Sequence, residues 1–334
     1  MRPVTGWFVI AIAALALPAA AAHAAEPEAK LGRMSRSADY GHLRLDFRMR
    51  GKGFSQRCFV LLPLAVAADD DLAEIDLDAF IGKKQRPWFW FAPALQNRYP
   101  NEWHSWYFKR VLGAGGVIAG VDVGHSWGNL AGRKLYTHFY HAATRRFNLK
   151  PGANFLAEGL GGLMAYNWAA DHPDKVNSIA GIYPISRIQP SPFFARVYNL
   201  AGKDEQKLAL TELDAHLKEN LKQLREHLKE HNPPDRLEGL VEAGVEIMHI
   251  HGGQDRVVPA ETHTLRIVLP YRKLGGEADA IILRGERHEP TPMLFESPRF
   301  LRFLLRQLKE PAEPGPDETT PKTEPEKKDK TGGD

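Results

Sequence analysis

One stretch limits the folds open to this chain more than any other: Ala153-Asn154-Phe155-Leu156-Ala157-Glu158-Gly159-Leu160-Gly161-Gly162-Leu163-Met164-Ala165-Tyr166-Asn167-Trp168-Ala169-Ala170. A short apolar run enters a tight turn of small residues and leaves as an alanine-rich helix. Such a strand-to-helix bend lifts one tip side chain above a parallel sheet. The backbone doubles back on itself there, so the residues two before and two after the tip must be small. With residue 159 as the tip, Ala157 and Gly161 occupy those places, and Gly162 lets the helix lie close against the strand. The tip is Gly159, which carries no reacting atom.

The flanking sequence repeats the same alternation. Apolar runs at 43–47, 57–62, 87–92, 117–123, 154–157, 178–183, 245–250 and 278–283 read as strands. Helical patterns at 105–112, 131–147, 163–170, 261–274 and 298–308 separate the later ones. Strands alternating with helices predict an α/β fold, a mostly parallel, doubly wound sheet covered on both faces. An acidic link holding Asp69, Asp70, Asp71, Glu74, Asp76 and Asp78 is expected to be a solvated loop. Residues 203–231 break the rhythm, with Leu210, Leu213, Leu217, Leu221, Leu224 and Leu228 making one apolar stripe on a long helix. An insertion at about 186–238 is therefore expected to form a helical cap over the site, with a dimer seam as the alternative. Pro233 and Pro234 end it.

The two ends read differently from the middle. Residues 1–24 have the pattern of an export signal: Arg2, an apolar run at 7–17, then Ala22-His23-Ala24 as a small-x-small cleavage site. That run is too short for a membrane span, which takes about 20 residues. Residues 25–310 are expected to form the folded domain, and 311–334, rich in Pro, Glu, Lys and Thr, a disordered tail. Cys58 is the only cysteine, so no internal disulfide is available, and it reads as a buried strand residue. An exported domain without disulfides fits a bacterial periplasm or secreted space. Net charge is only +3 with both signs interspersed, which leaves no footprint for nucleic acid. His104, His125, His138, His141, His172 and His249 show no metal-ligand spacing, and no nucleotide fingerprint is present, so no cofactor or metal is expected.

Two later segments carry chemistry. His251-Gly252-Gly253-Gln254-Asp255-Arg256 puts an acid in a turn after a strand, and Arg284-Gly285-Glu286-Arg287-His288-Glu289 puts a histidine in the loop after the last strand. Taken singly, Asp255 could be a turn cap and His288 a polar loop residue. Tip, then acid, then base is the chain order of a hydrolase triad, and a carboxylate on the far ring nitrogen would fix the tautomer of His288. With the bend, Tyr166-Asn167-Trp168-Ala169-Ala170-Asp171-His172-Pro173 and His231-Asn232-Pro233-Pro234-Asp235-Arg236-Leu237, the chain resembles the α/β-hydrolase superfamily over residues 87–308. Within it, the likeness is to the bacterial exported esterase or prolyl-oligopeptidase-like branch. The resemblance implies Asp255 as triad acid and His288 as base. It also implies the Leu160 N–H as one oxyanion donor and the loop at Ala94 and Leu95 as another. The family's serine falls on Gly159. Gly253 and Arg287 are further departures, beside the acid and the base.

A literal G-x-S-x-G also occurs, at Gly124-His125-Ser126-Trp127-Gly128. Ser126 follows a strand one position too early in the order, so a loop residue beside the site is the simpler reading. An alternative nucleophile is the other. Glu158 as tip would put Leu156 and Leu160 at the small-residue positions, so it is expected beneath or beside the bend. The expected function is an exported hydrolase-like protein, catalytically impaired, that binds a small ester, peptide or carbohydrate ligand in the remnant pocket. Trp103, Trp106, Trp127 and Phe193 could line that pocket or belong to the core. The alternatives are an active esterase or peptidase using Ser126, and a weak hydrolase in which His288 and Asp255 activate water. No nucleic-acid partner is expected, and no membrane span after signal removal.

Overall fold

The computed structural model describes residues 28–37, 40–67, 69–82, 84–93, 100–123, 126, 128, 130–187 and 229–309. The predicted signal, most of the predicted cap and the tail lie outside them, as do Ala94, Leu95, Trp127 and Phe193.

The strands are β1 (Glu28–Arg36), β2 (His42–Gly51), β3 (Phe54–Ala65), β4 (Trp88–Ala92), β5 (Val117–Val121), β6 (Ala153–Glu158), β7 (Val176–Ile182), β8 (Glu246–Gly252) and β9 (Ala278–Leu283). They form one nine-stranded sheet in the order β1-β2-β3-β5-β4-β6-β7-β8-β9. From β5 to β9 every neighbouring pair is parallel. β1 is antiparallel to β2, β2 to β3, and β3 to β5. The chain thus enters through a meander and continues as strand–helix units, the alternation legible in the sequence.

The helices are α1 (Leu77–Gly82), α2 (Ser105–Gly113), α3 (Leu130–Arg146), α4 (Gly161–Asp171), α5 (Glu238–Glu242), α6 (Thr264–Lys273), α7 (Pro292–Phe295) and α8 (Pro298–Arg306). Strand β4 shows why they cover both faces. Successive side chains of a strand point to opposite faces. Trp88 and Trp90 accordingly enter the layer shared with α3, α4 and α6, while Phe89 and Phe91 enter the layer with α2 and α8. Trp90 packs on Phe155, Tyr136 and Trp168 at centroid distances of 4.9, 4.6 and 4.9 Å. Burying each such ring contributes about 2–3 kcal/mol. On α8, Phe300, Phe303 and Leu304 are buried at helical spacing, Pro298 stands in the first turn, and the Ser297 hydroxyl accepts from the Phe300 N–H.

The acidic link differs from its expectation. It contains a short 3-10 turn at Leu72–Glu74 and then α1, because two of its acids cap them. Asp71 accepts from the Ala73 N–H and Asp76 from the Ala79 N–H. Cys58 is buried in β3, and burial pushes its thiol pKa well up.

Candidate functional site

The bend after β6 is as tight as its small residues allow. Gly159 has φ +49°, a left-handed conformation that costs other residues about 1–2 kcal/mol. Its N–H donates to Ile182 O, and its carbonyl accepts from Gly162 N and Ile185 N. A Cβ on Gly161 would lie 2.1 Å from Ala92 O, and one on Gly162 would lie 2.6 Å from Ile185 O. The start of α4 is therefore wedged between the ends of β4 and β7. Leu160 stands as N-cap of α4, and its N–H has no hydrogen bond among the described residues.

The acid turn and the base loop are joined by their backbones. Gly253 N donates to Leu283 O at 2.7 Å and Gln254 N to Glu286 O at 2.8 Å. A Cβ on Gly252 would meet Glu286 O at 2.5 Å and Arg287 O at 2.8 Å. This close approach brings the His288 Nδ1–H to Asp255 Oδ2 at 2.7 Å. The other carboxylate oxygen accepts from Val257 N and Val258 N at 2.9 and 2.7 Å. Burial alone would raise the Asp255 pKa, but hydrogen bonds from His251, His288 and Val258 outweigh it and hold the carboxyl well below its ordinary range. The His288 side chain is 23% exposed while that of Asp255 is fully buried. With its Nδ1–H engaged, His288 presents Nε2 as a lone-pair base.

Behind the acid lies a buried chain of donors whose directions can be assigned. His251 Nε2 faces Val258 O at 2.6 Å and Asp255 Oδ2 at 3.4 Å, so it carries the proton. His251 Nδ1 then accepts from the Thr264 hydroxyl at 2.8 Å, Thr264 accepts from His249 Nδ1–H at 3.1 Å, and His249 Nε2 accepts from Tyr166 O–H at 2.7 Å. Burial lowers the pKa of His249 to about 3, as the neutral ring in this chain requires.

Glu158 sits beside the bend and is only 8% exposed. Its Oε1 accepts from Tyr183 O–H at 2.6 Å and its Oε2 from His104 Nε2–H at 2.8 Å. His104 Nδ1 accepts from Asn101 N–H, which fixes that tautomer. Burial would raise the Glu158 pKa, yet the bonds from His104 and Tyr183 and the nearby His288 lower it, so Glu158 stays an anion. Tyr183 has φ +34°, and its ring centroid lies 4.9 Å from that of His288. Burial and the Glu158 charge push its phenol pKa up, keeping the donated proton in place. The tripartite contact of His104, Glu158 and Tyr183 carried no local sequence signal.

Ser126 is 4% exposed, and its hydroxyl makes no hydrogen bond among the described residues. Gly128, with φ +76°, approaches Leu163 O and the Asn167 side chain, and so lies against the flank of α4. Trp103 packs near Phe295, and Trp106 lies under the Arg110 guanidinium at 3.8 Å, so both belong to the packing around α2. His138 stacks on Phe54, and His141 meets Tyr140 edge-on. Among the described residues no cluster of three His, Cys, Asp or Glu could hold a metal, and no helix is long and apolar enough to cross a membrane.

No family model matches this sequence and no curated protein matches it. Solved structures do match its fold. An acylaminoacyl peptidase in complex with Z-Gly-Gly-Phe-chloromethyl ketone superposes with TM-score 0.55 at 14% identity, over 80% of this chain and 42% of the peptidase. The chain therefore spans less than half the length of that protein. A cold-adapted esterase from an Arctic intertidal metagenomic library gives TM-score 0.51 at 11% identity, over 83% and 98%. An S-formylglutathione hydrolase from Agrobacterium tumefaciens gives 0.53 at 10%, over 84% and 100%. The chain has the α/β-hydrolase fold that these peptidases and esterases share.

Proposed function

We propose that this chain is a hydrolase-fold protein without the acyl-enzyme route, whose remnant pocket binds a small ester, peptide or carbohydrate ligand. The observation that carries this reading is Gly159 in the left-handed tip of the bend. In it, Asp255 is the triad acid, His288 the base, and the Leu160 N–H one oxyanion donor, with the loop at Ala94 and Leu95 supplying another. Covalent acyl transfer needs a hydroxyl at the tip, and none is there. The pattern at residues 1–24 supports export in this reading, to a periplasm or beyond.

A second reading has its own support. His288 and Asp255 keep a charge-assisted bond at 2.7 Å, and the base reaches solvent. Water activated by His288 would then give slow hydrolysis, since catalysis without a triad member persists at about 10³–10⁴-fold over water elsewhere. One experiment sorts these. A fluorophosphonate probe is expected to label no residue, and a label on Ser126 would overturn both readings. Turnover of 4-nitrophenyl acetate that survives Ser126→Ala and is lost in His288→Ala selects the water route; turnover absent from the start selects binding alone.

A further inference from the structure

We propose that the cleft between the acid turn and the base loop is a subsite for a carboxylate-bearing ligand, gripped by Arg287 beside His288. This rests on the reading above, that the pocket around His288 binds a small molecule, and it names that molecule's charge. The cleft has a volume of about 520 Å³ and is walled by Gly253 to Val257 on one side and Arg287 to Glu289 on the other. That is within the roughly 300–1,000 Å³ typical of small-molecule sites.

The walls leave few groups with which to hold a ligand. The N–H groups of Gly253, Gln254 and Asp255 donate to Leu283, Glu286 and Gly252, and those of Val257 and Val258 donate to the Asp255 carboxylate. Asp255 is buried, and its charge is met by those two donors and His288. Of the exposed charged groups of the cleft, Arg256, Arg287 and Glu289, Arg256 has an interaction of its own, which leaves Arg287 as the cation open to a ligand. The Arg287 guanidinium makes no side-chain hydrogen bond or ion pair among the described residues, so its planar fork of donors is open. That fork matches a carboxylate in two parallel bonds, which a neutral ester cannot supply. Arg287 is also a position at which the sequence departs from the family pattern, directly before the base.

The test compares monomethyl succinate with dimethyl succinate by calorimetric titration of the full chain. The monoanion is expected to bind at least about 5-fold more tightly, with the preference shrinking in about 0.5 M salt. It should fall below about 2-fold in Arg287→Gln and widen in Glu289→Gln. Equal binding of the two probes, binding of neither, or an unchanged preference in a folded Arg287→Gln protein would overturn the subsite. The parent reading is tested apart from it, because fluorophosphonate labelling does not involve Arg287.

Discussion

The turn after β6 and the stretch after β5 both follow the carboxyl end of a strand, and Gly128 of the second lies against α4, the helix that the first begins. They differ in what they hold there. The first has a left-handed tip at Gly159, a helix start wedged against Ala92, and a Leu160 N–H unengaged among the described residues, but no hydroxyl. The second has the hydroxyl of Ser126, inside a literal G-x-S-x-G, but buries it with no partner among the described residues. A nucleophile is defined by the backbone that aims it and the base that meets it, and a five-letter pattern contains neither. The contrast between the two turns can be broken in several places.

The largest effect is expected from Gly161→Ala. Its Cβ would fall 2.1 Å from the backbone oxygen of Ala92, so β4 and α4 would have to part. A loss of about 4 kcal/mol or more in urea unfolding, or no folded protein, is the expected result. Wild-type stability would show that the bend is looser than described and that residue 159 is not its tip.

Next comes Gly159→Ser, which supplies the missing atom. Turnover of 4-nitrophenyl acetate should rise about 10²–10³-fold, roughly 3–4 kcal/mol of barrier, and a fluorophosphonate should label residue 159. Adding His288→Ala should remove the gain. A folded Gly159→Ser protein that stays inactive would count against the assignment of the tip.

Acid should act on the side that carries the dyad. The folded pKa values of His249 and His263 are depressed to about 3 from an ordinary 6.5, by burial first and nearby His251 second. Protons therefore prefer the unfolded chain. The contribution of these rings is full above pH 6.5 and is lost as pH falls toward 3. Each should cost about 1.4 kcal/mol per pH unit in that window, so roughly 2–3 kcal/mol per unit for the pair. The lowered carboxyls of Asp255 and Glu158 add a loss in the same direction below their ordinary values of 3.8 and 4.5. Urea midpoints at pH 7.5, 6.0 and 5.0 check this, and a flat profile would mean that the rings are solvated.

The smallest effect belongs to Ser126→Ala. Removing a buried hydroxyl without a partner should change stability by less than about 1 kcal/mol and leave any esterase turnover unchanged. Lost activity would reverse the contrast between the turns.

Much of the fold was legible because its signals are local. The aromatic run of β4 and the small residues of the bend each point to one structure whatever surrounds them. Asp255 and His288 could be chosen by chain order, and they lie 2.7 Å apart; their roles are those proposed above. Strand β1 was not legible: Glu28-Ala29-Lys30-Leu31-Gly32-Arg33-Met34-Ser35-Arg36 has charges scattered through it, and only its pairing with β2 makes it a strand. Helix α1 was hidden in an acidic stretch whose caps become visible only with their N–H partners. His104, Glu158 and Tyr183 meet across 54 and 25 residues of chain, a distance over which spacing says nothing.

Tyr183 touches Glu158 and His288 from one backbone position. Its phenol donates to Glu158 and its ring packs at a tilt against His288, while its φ of +34° is held in a well that costs a tyrosine about 1–3 kcal/mol. A swivel of that one bond to its relaxed angle would withdraw both contacts together. The carboxylate under the bend and the imidazole across from it are thus hung on a common hinge pin, and neither can be re-aimed without unsettling the other.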